Sequence, residues 1–166
     1  MISRKKKTLQ KINMSNKKKI IYGSLVILIL IQFIRPAKNK GELDTESAIY
    51  TSEEIGNILQ TSCFDCHSNN TTYPWYVNIQ PVGWWLNHHV NEGKEKLNFS
   101  EFENYPLKKK LHKLKEIKEQ IEKGDMPMTS YTLIHKEAKL NSEQKELLIK
   151  WSEETAKYLT DTIIKK

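Results

Sequence analysis

The chain has 166 residues, of which 38% are hydrophobic, enough for one modest core and too few for a large enzyme with two lobes. Its net charge is +7, but residues 1–40 contain 11 of the 27 basic residues and no acidic one, so residues 41–166 carry 16 basic and 20 acidic groups. A mildly acidic body has no field that would collect a phosphate backbone, which excludes nucleic acid as a partner.

The N-terminal region has the pattern of an export signal. An uncharged apolar run occupies residues 20–34, with three lysines before it and Arg35 and Pro36 after it. We predict a basic cytoplasmic leader at 1–19, an uncleaved transmembrane signal anchor at 20–36 and a linker at 37–50. A cleaved signal peptide is the alternative, although no small-residue cleavage site follows the run. Either interpretation exports the remaining domain, residues 51–160.

The only two cysteines form the sequence Cys63-Phe64-Asp65-Cys66-His67. This C-x-x-C-H pattern is typical of covalent haem attachment, in which both thiols add to haem vinyl groups and the histidine ligates the iron. A thioredoxin-like site would need a βαβ context, and a zinc site would need a fourth ligand. A simple disulfide would leave His67 unexplained. We therefore predict one covalently bound haem c, with its iron ligated by His67.

The periodicity of the body predicts a small all-α, cytochrome c-like domain around the haem. Ser52 caps a helix that runs into Cys63, and residues 84–97 form a second helix. A capping box at residues 100–103 predicts the start of another helical region. The next helix carries a stripe of leucine and isoleucine from Leu107 to Ile121 and ends at Gly124. A terminal helix begins at Asn141 or Ser142.

The sixth iron ligand is predicted in the loop before the terminal helix. Met126 is the first candidate, because Pro127 restricts the backbone of the residue before it. Met128 and His89 are the main alternatives, with an open site also considered. Aromatic density after the motif further predicts that four residues line the cofactor, although ordinary core packing explains them equally well: Trp75, Tyr76, Pro81 and Trp85.

Several segments together resemble a bacterial haem-binding domain family of small monohaem c-type cytochromes. They are the C-x-x-C-H motif with the following Ser68-Asn69-Asn70-Thr71, then Tyr73-Pro74-Trp75-Tyr76, Pro81-Val82, Trp84-Trp85, residues 89–93, residues 97–101, Met126-Pro127, Tyr131, His135, residues 138–140 and Trp151. The resemblance implies one haem on Cys63 and Cys66 with His67 as axial ligand. Combined with the anchor, it predicts a single-pass protein of the bacterial inner membrane whose haem domain is periplasmic.

These observations favour electron transfer over catalysis. We expect a membrane-anchored cytochrome that passes single electrons to redox protein partners. A haem-based sensor and a small haem peroxidase are the alternatives, and both require an open sixth position.

Overall fold

A computed structural model describes residues 15–41 and 44–164, and within these residues the regular secondary structure is helical, with no strand. The all-α prediction is confirmed. Three short 3-10 turns, at Trp75–Asn78, Phe99–Asn104 and Lys136–Ala138, separate the α-helices. The seven described helices are α1 Asn16–Ile31, α2 Glu53–Ser62, α3 Phe64–His67, α4 Val82–Lys96, α5 Leu107–Lys123, α6 Thr129–Thr132 and α7 Ser142–Ile164.

The core forms where α2, α5 and α7 meet. Helix α5 buries its isoleucine and leucine stripe, while lysines and glutamates cover its outer side, as the amphipathic spacing predicts. Helix α7 contributes Leu148, which is fully buried. The buried members of this cluster are Ile55, Ile58, Leu59, Phe99, Ile117, Ile121, Leu140 and Leu148. This packing fixes α2, and therefore the cysteine motif that follows it.

Helix ends follow the expected capping chemistry. The Ser52 hydroxyl accepts a hydrogen bond from the Ile55 amide at the start of α2. Helix α5 ends at Gly124, which has a left-handed φ of 74°. At the start of α7, Asn141 and Gln144 each accept the other's backbone N–H, at 2.8 and 3.0 Å. This reciprocal pair selects Asn141 over Ser142 as the cap.

The capping box predicted at residues 100–103 does not start an α-helix. This segment is the 3-10 turn Phe99–Asn104, and its cap is Asn98, whose side-chain oxygen accepts from the Ser100 amide. Phe99 and Phe102 are both buried from this one turn. Their burial favours the tighter turn, and the α-helix begins only at Leu107, after Pro106.

Residues 37–50, predicted as a linker, lie against the domain where the structure describes them. Lys40 forms an isolated antiparallel bridge with Asn70, and the Gly41 amide donates to the Asn69 carbonyl at 2.7 Å. The Ile49 amide donates to Phe99 at 2.8 Å. Each bond joins a residue of this segment to one far along the chain, which a local composition signal does not reveal.

Helix α1 has 16 residues and no buried side chain. Within residues 15–41 and 44–164, no helix has both the length and the apolar character required to cross a membrane. The predicted transmembrane anchor at 20–36 is therefore unsupported, because its helix is shorter than the roughly 20 residues that a span needs. Of the predicted leader at 1–19, residues 1–14 lie outside the described part of the chain.

Candidate functional site

The cysteine motif forms one tight turn at the end of α2. Cys63 closes α2, and the next four residues form α3. The amides of Cys66 and His67 both donate to the Cys63 carbonyl, at 3.2 and 3.0 Å. The turn thus places both cysteines and the histidine together, and both cysteines are free thiols.

Burial controls the chemistry of the two thiols. It raises the pKa of Cys63 to about 12, and the neighbouring Cys66 adds a smaller electrostatic effect. Burial and the charge of Asp65 raise the pKa of Cys66 to about 11. Both side chains are therefore neutral S–H groups near pH 7.

His67 is held in one tautomer by two backbone carbonyls. Its Nδ1 lies 2.9 Å from the Gly93 oxygen and 3.0 Å from the Leu97 oxygen. Because a carbonyl can only accept, Nδ1 carries the proton and Nε2 keeps its lone pair. Burial is the main cause that lowers the His67 pKa, so the neutral imidazole is favoured. This is the arrangement of a metal-ligating histidine with an oriented second nitrogen.

Gly93 allows α4 to approach this turn closely. A Cβ atom at position 93 would lie 2.6 Å from the Cys66 carbonyl oxygen and 3.2 Å from the Cys66 Cβ. Gly93 also supplies one of the two carbonyls that hold His67. A glycine is therefore needed here for contact distance, and the contact places α4 beside the histidine.

Two adjoining cavities open beside His67. Cavity A, of about 750 Å³ including the space open to solvent, lies between the cysteine turn (residues 63–67), α4 and the methionine loop (residues 125–128). Cavity B, of about 1090 Å³ on the same basis, extends between α2, the Phe99 turn and α5. Six residues line both cavities: Ser62, Cys63, His67, Lys96, Met126 and Pro127. The walls of cavity B are largely apolar, which suits a flat hydrophobic cofactor.

The predicted methionine loop lies at the same site. After α5, the amides of Asp125 and Met126 both donate to the Gln120 carbonyl, at 3.0 and 3.3 Å. Met126 lines both cavities and is 36% exposed, whereas Met128 lines cavity A alone. Met126 thus lines both cavities together with His67, whereas Met128 shares only cavity A with it.

Of the four histidines other than His67, one lines a cavity and three lie away from both cavities. His89 lines cavity A. Its Nδ1 lies 2.9 Å from the Trp85 carbonyl, which leaves Nε2 with its lone pair. His88 and His112 contact glutamates one helical turn on, and His135 Nε2 lies 2.8 Å from the Tyr76 hydroxyl. Of the alternative histidines, only His89 reaches the cavity walls.

Trp75, Tyr76, Pro81 and Trp85, which we predicted to line the cofactor, do not line either cavity. Trp75 is 76% exposed, and Trp85 packs on His89 with ring centroids 4.2 Å apart. Pro81 is exposed at the start of α4. Tyr76 contacts Trp75 and His135. The density of aromatic residues therefore marks packing around the loop and not the cavity itself.

Asp65, between the two cysteines, joins three segments and was not anticipated as a site residue. Its Oδ1 accepts from the Thr72 amide at 2.9 Å, and its Oδ2 accepts from the Tyr131 hydroxyl at 2.7 Å. Tyr131 lines cavity A just after the methionine loop, and burial followed by Asp65 raises its pKa. The hydroxyl therefore stays protonated and fastens the methionine loop to the cysteine turn.

We expect Tyr131→Phe to lower the free energy of unfolding by about 1–3 kcal/mol, because it removes a half-buried hydrogen bond to a carboxylate. Urea unfolding of the haem-loaded full chain measures the change. Tyr158→Phe is the matched control, since Tyr158 is 69% exposed on α7. Equal stabilities of the two variants would show that the Tyr131–Asp65 bond does not fasten the loop.

The loop after the motif is held by side chains whose roles are visible only in three dimensions. The side-chain amide of Asn39 donates to the Ser68 carbonyl and the Thr71 hydroxyl, at 2.9 and 2.8 Å. Thr71 in turn donates to the Asp65 carbonyl at 2.7 Å. Lys94 on α4 donates to the Asn39 side-chain oxygen at 2.6 Å. The asparagine- and threonine-rich residues 68–72 are thus held against the cysteine turn by hydrogen bonds.

Comparison with known proteins agrees with this site. No curated protein and no solved structure matches the chain. The sequence model of a family described as a haem-binding domain matches residues 26–154, which include the cysteine turn, α4, α5 and the methionine loop. This match covers well over half of the chain, so the chain belongs to the haem-binding domain family.

Proposed function

We propose that this protein is a monohaem c-type cytochrome that transfers single electrons. Cys63 and Cys66 would hold the haem by two thioethers, and His67 and Met126 would ligate its iron. The observation that carries the proposal is the hydrogen bonding of His67. Two carbonyls fix the proton on Nδ1 and leave the Nε2 lone pair available, directly beside two free thiols.

The residues at the site fit such a cofactor. Attachment adds each S–H across a vinyl group, so no oxidant is consumed and no group leaves, and the neutral thiols supply both atoms. Leu59, Phe99 and Ile121 form an apolar wall along cavity B. When bound, the haem supplies an iron that cycles between two oxidation states. The chain orients the ligands and keeps water from the ring.

Met126, which lines the same two cavities as His67, supports the electron-transfer role over an open site. A thioether ligand raises the reduction potential relative to a second histidine and fills the sixth position. Tyr131 and Gln120 fix the loop at both ends, through bonds to Asp65 and to the Met126 amide. A loop held in this way presents the ligand without large rearrangement between oxidation states.

We expect Met126→Leu to abolish the weak long-wavelength absorption band that iron–sulfur ligation gives in the oxidised protein. Its reduction potential should fall by about 0.1 V or more, and the reduced form should bind carbon monoxide. Met128→Leu is the matched control and should retain the band. If Met128→Leu alone loses the band, Met128 is the ligand. If the unaltered protein has no band and binds carbon monoxide, electron transfer through a methionine-ligated haem is wrong.

Three polar side chains that line cavity A favour a second candidate function. His89, Glu92 and Tyr131 line this cavity together, and His89 Nε2 has no hydrogen bond to any residue that the structure describes. Such groups could hold a diatomic ligand or donate protons to peroxide, as a haem sensor or a small peroxidase requires. Carbon monoxide binding by the unaltered reduced protein, together with peroxide turnover that His89→Phe removes, would favour this function.

We further propose that the haem domain lies outside the cytoplasm and is attached to the bacterial inner membrane through α1. The apolar side chains of α1 are exposed, and Lys17, Lys18 and Lys19 lie near its start. Its far end is fastened to the domain, because Gln32 and Gln80 exchange hydrogen bonds and Trp84 donates to the Ile34 carbonyl at 2.8 Å. Cell fractionation of the haem-loaded chain tests this location.

A further inference from the structure

Lys113 is unlike the other lysines at the start and middle of α5. Its side chain is only 14% exposed, whereas that of Lys115, two residues on, is 73% exposed. Lys110 is equally covered, but it pairs with Glu103 and lies over the Phe102 ring, away from the cavities. Because a lysine is costly to remove from water, a covered lysine at a cavity wall needs an anionic partner.

Glu116 is one such partner. Its carboxylate lies 2.5 Å from the Lys113 nitrogen, and this hydrogen bond is the main cause that lowers the Glu116 pKa. The ammonium has three donors, and Glu116 also contacts His112 at 3.2 Å. Glu116 thus occupies one of the Lys113 donors and leaves the others available.

Lys113 lies on the wall of a largely apolar cavity. Cavity B is lined by apolar residues that include Leu59, Phe99 and Ile121, and also by Lys96, Lys113, Glu116 and Gln120. Lys96 lines both cavities and forms no ion pair with any residue that the structure describes. Lys96 and Lys113 are the two lysines that line these cavities among the residues that the structure describes. The charges of both lysines are among the smaller causes that lower the His67 pKa.

A haem has the same combination of apolar and charged groups. Its ring is apolar, its vinyl groups lie on one side, and its two propionate carboxylates lie on the opposite side. Cys63 and Cys66 hold the vinyl side under the proposed function. We propose that Lys113, together with Lys96 on the wall of the same cavity, binds the haem propionates. This inference rests on the proposed function and assigns to the covered lysine a carboxylate ligand beyond Glu116.

The charge of Lys113 should stabilise an ionised propionate. Without it, the propionate binds its proton more tightly, and the pH at which ionisation begins to lower the reduction potential moves upward. The charged or titratable groups around this position are Lys96, Glu116, His67 and, through Glu116, His112. Because Glu116 loses its partner when Lys113 is replaced, the experiment must separate its contribution.

The test measures the reduction potential of the haem-loaded full chain as a function of pH. Lys113→Met should lower the potential and weaken propionate proton dissociation about tenfold, that is, by about one pKa unit. Lys115→Met, the exposed control on the same helix, should change neither. Lys113→Arg should retain the unaltered profile. Lys96→Met should shift the profile in the same direction by a smaller amount.

The contribution of Glu116 is removed in a second pair of variants. Lys113→Met combined with Glu116→Gln should still show the shift relative to Glu116→Gln alone. A shift that disappears in this pair, or that Lys115→Met reproduces, overturns the assignment of Lys113 to the propionates. The absence of covalent haem from the unaltered chain would instead overturn the proposed function, so the two failures are distinguishable.

Discussion

Replacement of Cys63 and Cys66 together by alanine should abolish covalent haem attachment. The chain contains no other cysteine, so this variant removes every thiol that could form a thioether. We expect the unaltered full chain, matured with a c-type haem attachment system, to keep its haem through denaturing electrophoresis and haem staining. The double variant should give no stained band, although its cavities could still bind haem without a covalent bond.

The single variants sharpen this result. Cys63→Ala and Cys66→Ala should each leave one thioether and a weaker stained band, with a displaced absorption maximum in the reduced protein. Thr61→Ala is the matched control, because Thr61 is exposed two residues before the motif and its side chain bonds only within α2. A stained band in the double variant would contradict thioether attachment. A chain without haem that is lighter by two hydrogen atoms would indicate a Cys63–Cys66 disulfide instead.

The motif and the main helices follow from local sequence. Serine before two glutamates predicted the start of α2, the leucine and isoleucine spacing predicted α5, and Gly124 predicted its end. These patterns depend on residues within one or two helical turns of each other, so they predict helices without knowledge of the fold. The same locality brought His67 and both cysteines together, because the motif forms a single turn.

Long-range contacts explain what the sequence did not predict. Nothing in the local sequence distinguishes Asp65 as a site residue, because its hydrogen-bond partner Tyr131 lies 66 positions away. From the sequence, a glycine at position 93 is expected only to lower the stability of the helix. Its role becomes visible in the packing of α4 against Cys66. Aromatic density was the least informative signal, since Trp75 and Trp85 lie outside the cavity walls while Phe99 lines cavity B.

The contact of Gly93 with Cys66 has a consequence for stability and for the ligand. An added Cβ would lie 2.6 Å from a backbone oxygen, closer than atoms tolerate, and a backbone atom cannot rotate aside as a side chain can. Helix α4 must therefore move away from α3 in Gly93→Ala. Both carbonyls that accept from His67 Nδ1 lie at or just after the end of this helix, so the movement lengthens both hydrogen bonds.

We expect Gly93→Ala to lower the free energy of unfolding by about 2–3 kcal/mol, even though alanine is the better helix former by about 1 kcal/mol. The reduction potential should also rise, because a histidine without its Nδ1 hydrogen bonds is a weaker donor to ferric iron. Gly23→Ala on α1 is the control, since no atom lies within 4 Å of its added Cβ, and it should not destabilise the protein. Urea unfolding and potentiometry of the haem-loaded chain measure both effects. A Gly93→Ala protein as stable as the Gly23→Ala control would mean that α4 does not hold His67 by this close contact.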